Sequence, residues 1–405
     1  MSALPDCDVA IVGGGLVGLA TARALVAEGI LRVTVLEAET RVAAHQSGHN
    51  SGVVHSGLYY RPDSLRARLC REGAAELESF CAAERLPFER CGKLVLATGA
   101  EELPRLDALE ARGRANGLQG LQRLGPAEIE AREPHARGLA ALLVPETGIT
   151  DFGAVGRALA RTAVRSGVRL RMAESFRSAV REHDAVRIRT SAGTIRCRHL
   201  VACAGLQADR VARRSGLPPQ VRIVPFRGEF RELVAARRGL VRHLIYPVPD
   251  LQLPFLGVHW TRRPDGRVEA GPNAVPAWSR HGYAKGDFSL RDAASMLTWP
   301  GFWRMSWRHR GAGAAELRRA RSTRRLAAAL ARMVPALRPE DLEGGSSGVR
   351  ALALDRSGAL VDDFAFAEAP GMTHVLNAPS PAATACLALG REIAARVLAN
   401  WRFPV

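Results

Sequence analysis

Lysine is almost missing from this chain. Its 405 residues hold 55 arginines and only two lysines, Lys93 and Lys285, so the net charge of +17 rests on guanidinium groups spread along the whole length. Such a spread lacks the basic stripe of a nucleic-acid footprint and argues against a specific nucleic-acid partner. Long apolar runs are missing too, and none approaches the roughly 18 residues of a membrane-spanning helix. The opening "MSALPDCDVAIVGGG" carries no basic, apolar and small-residue succession of a signal peptide and enters a strand almost at once, which makes cytoplasmic residence the expectation. Cysteine is sparse: the seven are odd in number, scattered and never arranged C-x-x-C, which suggests neither a disulfide framework nor a zinc site. With 47% apolar and 24% charged residues, the composition is that of a globular protein. The length suggests about two to three domains.

One local excess of charge stands out. Eight arginines lie between Arg304 and Arg325, with Trp303 and Trp307 beside them. Such a segment is either a solvated helical face or a peripheral contact with an anionic membrane, here the inner face of the cell membrane.

The N-terminal stretch "DVAIVGGGLVGLATARALVAEGILRVTVLEAE" carries the strongest motif. The apolar run Val9 to Val12 reads as a buried parallel strand leading into Gly13-x-Gly15-x-x-Gly18, after which Leu19, Ala22, Leu25 and Val26 recur at helical spacing. Gly13 permits a tight turn, Gly15 lets the backbone approach a pyrophosphate, and Gly18 lets helix and strand pack closely. The helix N-terminus offers unpaired N–H groups to the anion. A second strand, Val33 to Leu36, ends on Glu37, placed to accept hydrogen bonds from ribose hydroxyls. The motif by itself does not separate FAD from NAD.

Two later blocks supply matching parts. Residues 151–205 read as a helix from about Val155 to Ser166, a strand from Val168 to Met172, an antiparallel pair around Ala185 to Thr190 and Thr194 to Cys197, and a strand "HLVACAG" ending at Gly205. "HVLNAPSPAATACLALGREIAARVLANW" reads as a strand, a small-residue turn and a helix from about Ala382, whose N-terminus can face an electron-rich flavin edge. This succession resembles the glutathione-reductase-like FAD domains. The expected fold is α/β: a Rossmann domain from segments 1–85, 146–222 and 345–405, and an α+β substrate domain with a mixed or antiparallel sheet from segments 86–145 and 223–344.

The loop "HQSGHNSGVVHSGLYYRPDSLRARLC", followed in order by "CGKLVLAT", "TGITDF", "VPFRGEF", "YPVPD", "PFLGVHW", "GPNAV", "LVDDF" and "NAPSPAAT", makes the resemblance specific. The chain resembles the FAD-dependent L-2-hydroxyglutarate oxidases and dehydrogenases of the D-amino-acid-oxidase superfamily from Asp8 to about Val397. The resemblance implies oxidation of L-2-hydroxyglutarate to 2-oxoglutarate, with electrons passing from FAD to oxygen, a quinone or a carrier. Two other readings compete: a superfamily enzyme acting on an amine, another 2-hydroxyacid or glycerol 3-phosphate, and a basic RNA-binding flavoprotein. The FAD contacts expected are Gly13, Gly15, Leu16, Val17, Gly18, Glu37 and Ala38; Gln46, Ser47, Asn50, Ser51, Gly52 and Val53 of the loop; Phe176, Ala204, Gly205 and Arg350; and Pro379, Ser380, Pro381, Ala382 and Ala383.

A metal reading would use His45, His49 and His55, but their spacings share no helical face and no nearby carboxylate or cysteine completes a site. His55 is instead the first candidate for the base that takes the substrate hydroxyl proton, since an imidazole with a pKa of about 6.5 suits that task at neutral pH. His259 in "LGVHW" is its rival, and His45 and His49 read as structural or pyrophosphate-side groups. A dicarboxylate must also be neutralised, which points to the motif-embedded cations Arg227, Arg350 and Lys93, with Tyr60, Tyr246 and Asn273 as neutral partners. Near Arg350 the chain reads "GVRALALDRSG" where the family usually has "GVRAQALDRDG", so Leu352 stands at the glutamine position.

Overall fold

The computed structural model describes residues 5–250 and 257–401. Two large sheets organise them. In the first, parallel strands run in the order Arg169–Arg171, Val33–Leu36, Cys7–Val12, Thr194–Ala202 and Met372–Asn377. Strands buried on both faces must be apolar throughout, and Val9, Ile11, Val33, Val35, Leu200 and Val201 are all fully enclosed. The helix Leu16–Ala27 lies between Phe152–Arg165 and Cys386–Ala399. Its approach to the last is so close that a Cβ on Gly390 would come within 2.6 Å of the Ala20 backbone.

The second sheet has nine strands and is mixed: Lys93–Ala97 runs parallel to Leu244–Pro247 and antiparallel to Ala140–Val144. Its longest ladder pairs Val221–Leu233 with Leu342–Asp355, opposing Phe226 to Arg350 and Val224 to Leu352. A small third sheet joins Val53–Val54, Gly148–Thr150 and Phe88–Glu89. The helix Ala208–Arg214 is tied to the far segment by a buried ion pair, Arg280 Nη1 to Asp209 Oδ1 at 2.5 Å and Nη2 to Oδ2 at 3.0 Å. Two charges so enclosed persist only as a pair, because either one alone would lack solvation.

Several boundaries differ from the sequence reading. The ladder strands Val221–Leu233 and Leu342–Asp355 run through the expected divisions at 222/223 and 344/345, since both are continuous members of the second sheet. Phe176–Arg181 adds a further strand to the antiparallel pair, making a three-stranded meander with Val186–Thr190 and Thr194–Ala202. The last helix starts at Cys386 rather than near Ala382, because residues 379–385 form hydrogen-bonded turns from Ala382 N to Pro379 O and from Ala385 N to Pro381 O. Its N-terminus therefore stands behind the turn, capped by the fully buried Ala385. Among the described residues no helix is long and apolar enough to cross a membrane.

Candidate active site

A single cavity of about 930 Å³ is lined by residues of the first sheet's C-terminal ends and of the second sheet. One end is built by the glycine turn. Gly13 adopts φ +115°, and a Cβ there would stand 2.4 Å from the Cys203 carbonyl oxygen. Gly15 caps the helix Leu16–Ala27 with no side chain closing it, and a Cβ on Gly15 would meet only Ser47 Oγ, at 3.0 Å. Gly15, Leu16 and Val17 of this first turn line the cavity, with the Leu16 amide donating to Ser47 Oγ at 3.0 Å. Glu37 is held by Gly14 N (2.7 Å) and Glu39 N (2.9 Å), which fixes its carboxylate on the cavity wall.

The other end gathers His55, Tyr59, Tyr60, Tyr246, His259 and Arg350. His259 Nδ1 lies 2.8 Å from the Gly257 carbonyl oxygen, so Nδ1 carries the proton and Nε2 the lone pair. Its ring stacks on Tyr246 with centroids 3.9 Å apart. Burial pushes the His259 imidazole down to about 4, with Arg350 and Lys93 assisting against the Gly257 hydrogen bond. Burial also pushes His55 down to about 3, helped by the charges of Lys93, His259 and Arg66. Both rings are neutral at neutral pH. His55 N donates to Thr384 Oγ1 at 3.1 Å, which locks the loop to the 379–385 turn, and its Nδ1 is buried with no hydrogen-bond partner.

Most of the expected contacts line this cavity: Gly13, Gly15, Leu16, Val17, Glu37, Ala38, Gln46, Ser47, Asn50, Ser51, Val53, Phe176, Ala204, Gly205, Arg350 and residues 379–383. Others do not reach it. Gly18 packs on Gly13 instead, as its role in helix–strand contact requires. Gly52, at φ +74°, is pinned against Thr150 O and Arg263. Asn50 lines the cavity, but its side chain braces the loop through Gln46 O, Ser47 O and Gly52 N.

Three of the expected substrate contacts also lie off the wall. Arg227 is engaged by Glu229 (3.1 Å) and the Ala284 carbonyl, and Asn273 by the backbone and carboxylate of the same Glu229. Lys93 sits behind the wall with Nζ 4.3 Å from the Tyr59 ring centroid and 5.2 Å from that of Tyr246. Burial pushes its ammonium down to about 7. Its effect on the site is that of a field, since it faces both histidines electrostatically.

Sequence reasoning missed Tyr59, Arg66 and Thr384. The Tyr59 hydroxyl is buried without a partner, and Arg66 ties the loop to Ser380 O at 2.6 Å. The adjacent "YYRPDSLR" offered both Tyr59 and Arg66, whereas Thr384 meets His55 only through the fold. The loop histidines do not converge on one another: His49 meets Ser347 O and His45 meets Glu39, while both contact Tyr283. The expectation that no carboxylate stands near them is thereby corrected, because the loop folds Glu39 back onto His45.

The pattern of a family described as FAD dependent oxidoreductase matches residues 8–396. The chain belongs to that family. Among its relatives, an L-2-hydroxyglutarate dehydrogenase of Indibacter alkaliphilus is 44% identical over 390 residues, covering 96% of this chain and 98% of that protein. The mitochondrial L-2-hydroxyglutarate dehydrogenase of Mus musculus is 43% identical (95% and 86% covered) and that of Homo sapiens 41% (96% and 88%). The fold is shared with an FAD-bound L-alpha-glycerophosphate oxidase from Mycoplasma pneumoniae (TM-score 0.76, 23% identity, 98% and 95% covered). It is shared also with glycine oxidase from Bacillus cereus (TM-score 0.71, 18% identity, 97% and 95% covered).

FAD is the cofactor of this family member, and the glycine end of the cavity fits it. The Gly15 backbone and the uncapped helix suit the pyrophosphate, and the fixed Glu37 carboxylate suits the adenosine ribose. A side chain at Gly15 would occupy the space that the pyrophosphate needs. Gly15→Val is expected to purify as a folded protein with at least about tenfold less flavin per chain. Flavin absorbance relative to protein, with circular dichroism as the folding control, checks this.

Proposed function

We propose that this chain oxidises L-2-hydroxyglutarate to 2-oxoglutarate. The observation that carries this reading is the pair of neutral histidines beside a buried guanidinium, in a chain whose relatives at 41 to 44% identity bear that activity in their names. Bound FAD supplies the hydride acceptor for the hydrogen at substrate C2. The remaining tasks fall to the protein. Arg350, buried on the cavity wall, binds a carboxylate, and Tyr60 and Tyr246, whose phenols burial keeps protonated, serve as neutral hydrogen-bond donors.

His259 is the better base, which reverses the order the sequence suggests. Its tautomer is fixed by Gly257, leaving Nε2 to take the hydroxyl proton as the C2–O bond becomes a carbonyl. His55 has no acceptor at Nδ1, and a buried N–H without a partner costs more than a bare lone pair. Its proton therefore belongs on Nε2, making His55 a hydrogen-bond donor to substrate. Two electrons then pass to an acceptor of the oxygen, quinone or carrier class.

The arginine-rich segment bears on where that acceptor is met. Trp303 (55% exposed) and Trp307 (72%) stand on the helix Pro300–Arg308, and Arg310–Ala320 buries none of its residues. Phe288 and Leu290 are exposed nearby in sequence. Apolar rings among arginines suit the interface of an anionic bilayer, and we read this surface as a peripheral membrane contact. Co-sedimentation with anionic vesicles is expected for the parent protein and lost in Trp303→Ser/Trp307→Ser with Arg308→Glu/Arg318→Glu. Equal sedimentation of both would remove this reading.

The substrate is tested without oxygen. L-2-hydroxyglutarate is expected to bleach the flavin of the purified protein rapidly and the D enantiomer to leave it unchanged. A flavin that responds instead to glycine, D-alanine or glycerol 3-phosphate overturns the assignment. The pH dependence follows from the lowered imidazole values. A lowered value keeps the base neutral, so kcat/KM should stay level from neutral pH down to about 5 and fall as His259 protonates near about 4. Lys93→Met removes a cation that disfavours that protonation, so the acid limb should move upward toward the ordinary imidazole value of about 6.5. His259→Gln should cost about 10²- to 10⁴-fold in the rate of flavin reduction.

A further inference from the structure

We infer that Glu39, His45 and His281 form a binding site for a divalent transition-metal ion of the zinc class, joining the loop after the second strand to the segment that follows Val275–Pro276. One ligand atom from each of these side chains can be chosen so that all lie within 4.8 Å of one another. His45 Nε2 is 3.0 Å from Glu39 Oε1, and the His45 and His281 rings meet edge to face with centroids 4.5 Å apart. A tetrahedral ion with bonds of about 2.0–2.2 Å separates its ligand atoms by about 3.3 Å. The His45–Glu39 pair is already near that spacing. The remaining adjustment falls on His281, which is exposed in a turn and would exchange its contact with Gln207, Nε2 to Nε2 at 3.2 Å, for the ion.

The surroundings are those of an oriented ligand set. Tyr283 OH lies 3.1 Å from His45 Nδ1, and its ring is stacked with His45 on one side and tilted against His49 on the other. A metal-bound imidazole needs such a partner for its second nitrogen, to fix tautomer and ring angle. Two nitrogens and one carboxylate oxygen suit zinc and its borderline neighbours rather than magnesium or calcium. Water can fill the outer position. All three residues line the main cavity, and Glu39 N donates to Glu37, so the ion would staple the cavity wall at its dinucleotide end, away from the histidines assigned to the reaction.

The test uses FAD-loaded protein stripped with a chelator and titrated with Zn2+ by calorimetry at neutral pH, with Co2+ as a spectroscopic stand-in. One saturable site per chain, a Co2+ d–d band of tetrahedral intensity and a rise in Tm on Zn2+ addition are expected. His281→Ala and Glu39→Gln should each weaken Zn2+ binding by about tenfold or more and abolish the Tm rise. His281 is exposed, so its variant keeps the fold, which retained flavin absorbance would verify. Absence of saturable binding in the parent protein, or binding that neither substitution alters, overturns the proposal.

Discussion

The cofactor end of this protein depends on one close approach. At Gly18 a Cβ would fall 2.0 Å from the carbonyl oxygen of Gly13, so helix and strand can meet at that distance only through a residue without a side chain. The contact sets the angle at which Leu16–Ala27 leaves the strand and aims its uncapped amides at the cavity. Glu37 then secures the neighbouring strand by accepting the Gly14 amide, so the acid expected to meet the ribose also clamps the turn. The helix end suited to an anion and the acid suited to a ribose both follow from a single packing constraint.

At the opposite end the governing quantity is desolvation. Lys93, His55, His259 and Arg350 are all enclosed there, and burial lowers the tendency of each to carry its proton. At the two histidines, repulsion from neighbouring cations adds to the effect. Stacked rings of Tyr246 and His259 and the cation over Tyr59 hold the groups in place despite it. A pocket so arranged holds both histidines neutral and favours an anionic occupant.

The two ends were not equally legible in the sequence. Gly13, Gly15, Gly18 and Glu37 could be read because strand, turn, helix and strand are contiguous, and their spacing alone fixes their geometry. Arg350 could be singled out from 55 arginines only through its motif. Arg227 and Asn273 sat in motifs of the same kind, yet both turn to Glu229, which lies on the strand of Arg227 and within hydrogen-bond reach of Asn273. Nor could spacing reveal that Thr384 would meet His55, or that His281 would meet His45. Those contacts join segments brought together only by the assembled fold.

The departure at Leu352 follows the same physical logic. Arg350 and Leu352 are two residues apart on one strand and so share a face, and both line the cavity. Leu352 also packs against the cluster of Val224, Phe226, Met296 and Phe302. An apolar side chain at this position gives the guanidinium a drier wall than a glutamine would. A drier wall makes any ion pair formed by the guanidinium stronger, while withdrawing one neutral hydrogen-bonding group from the cavity. The chain thus sets Arg350 beside an apolar wall where the family pattern has an amide.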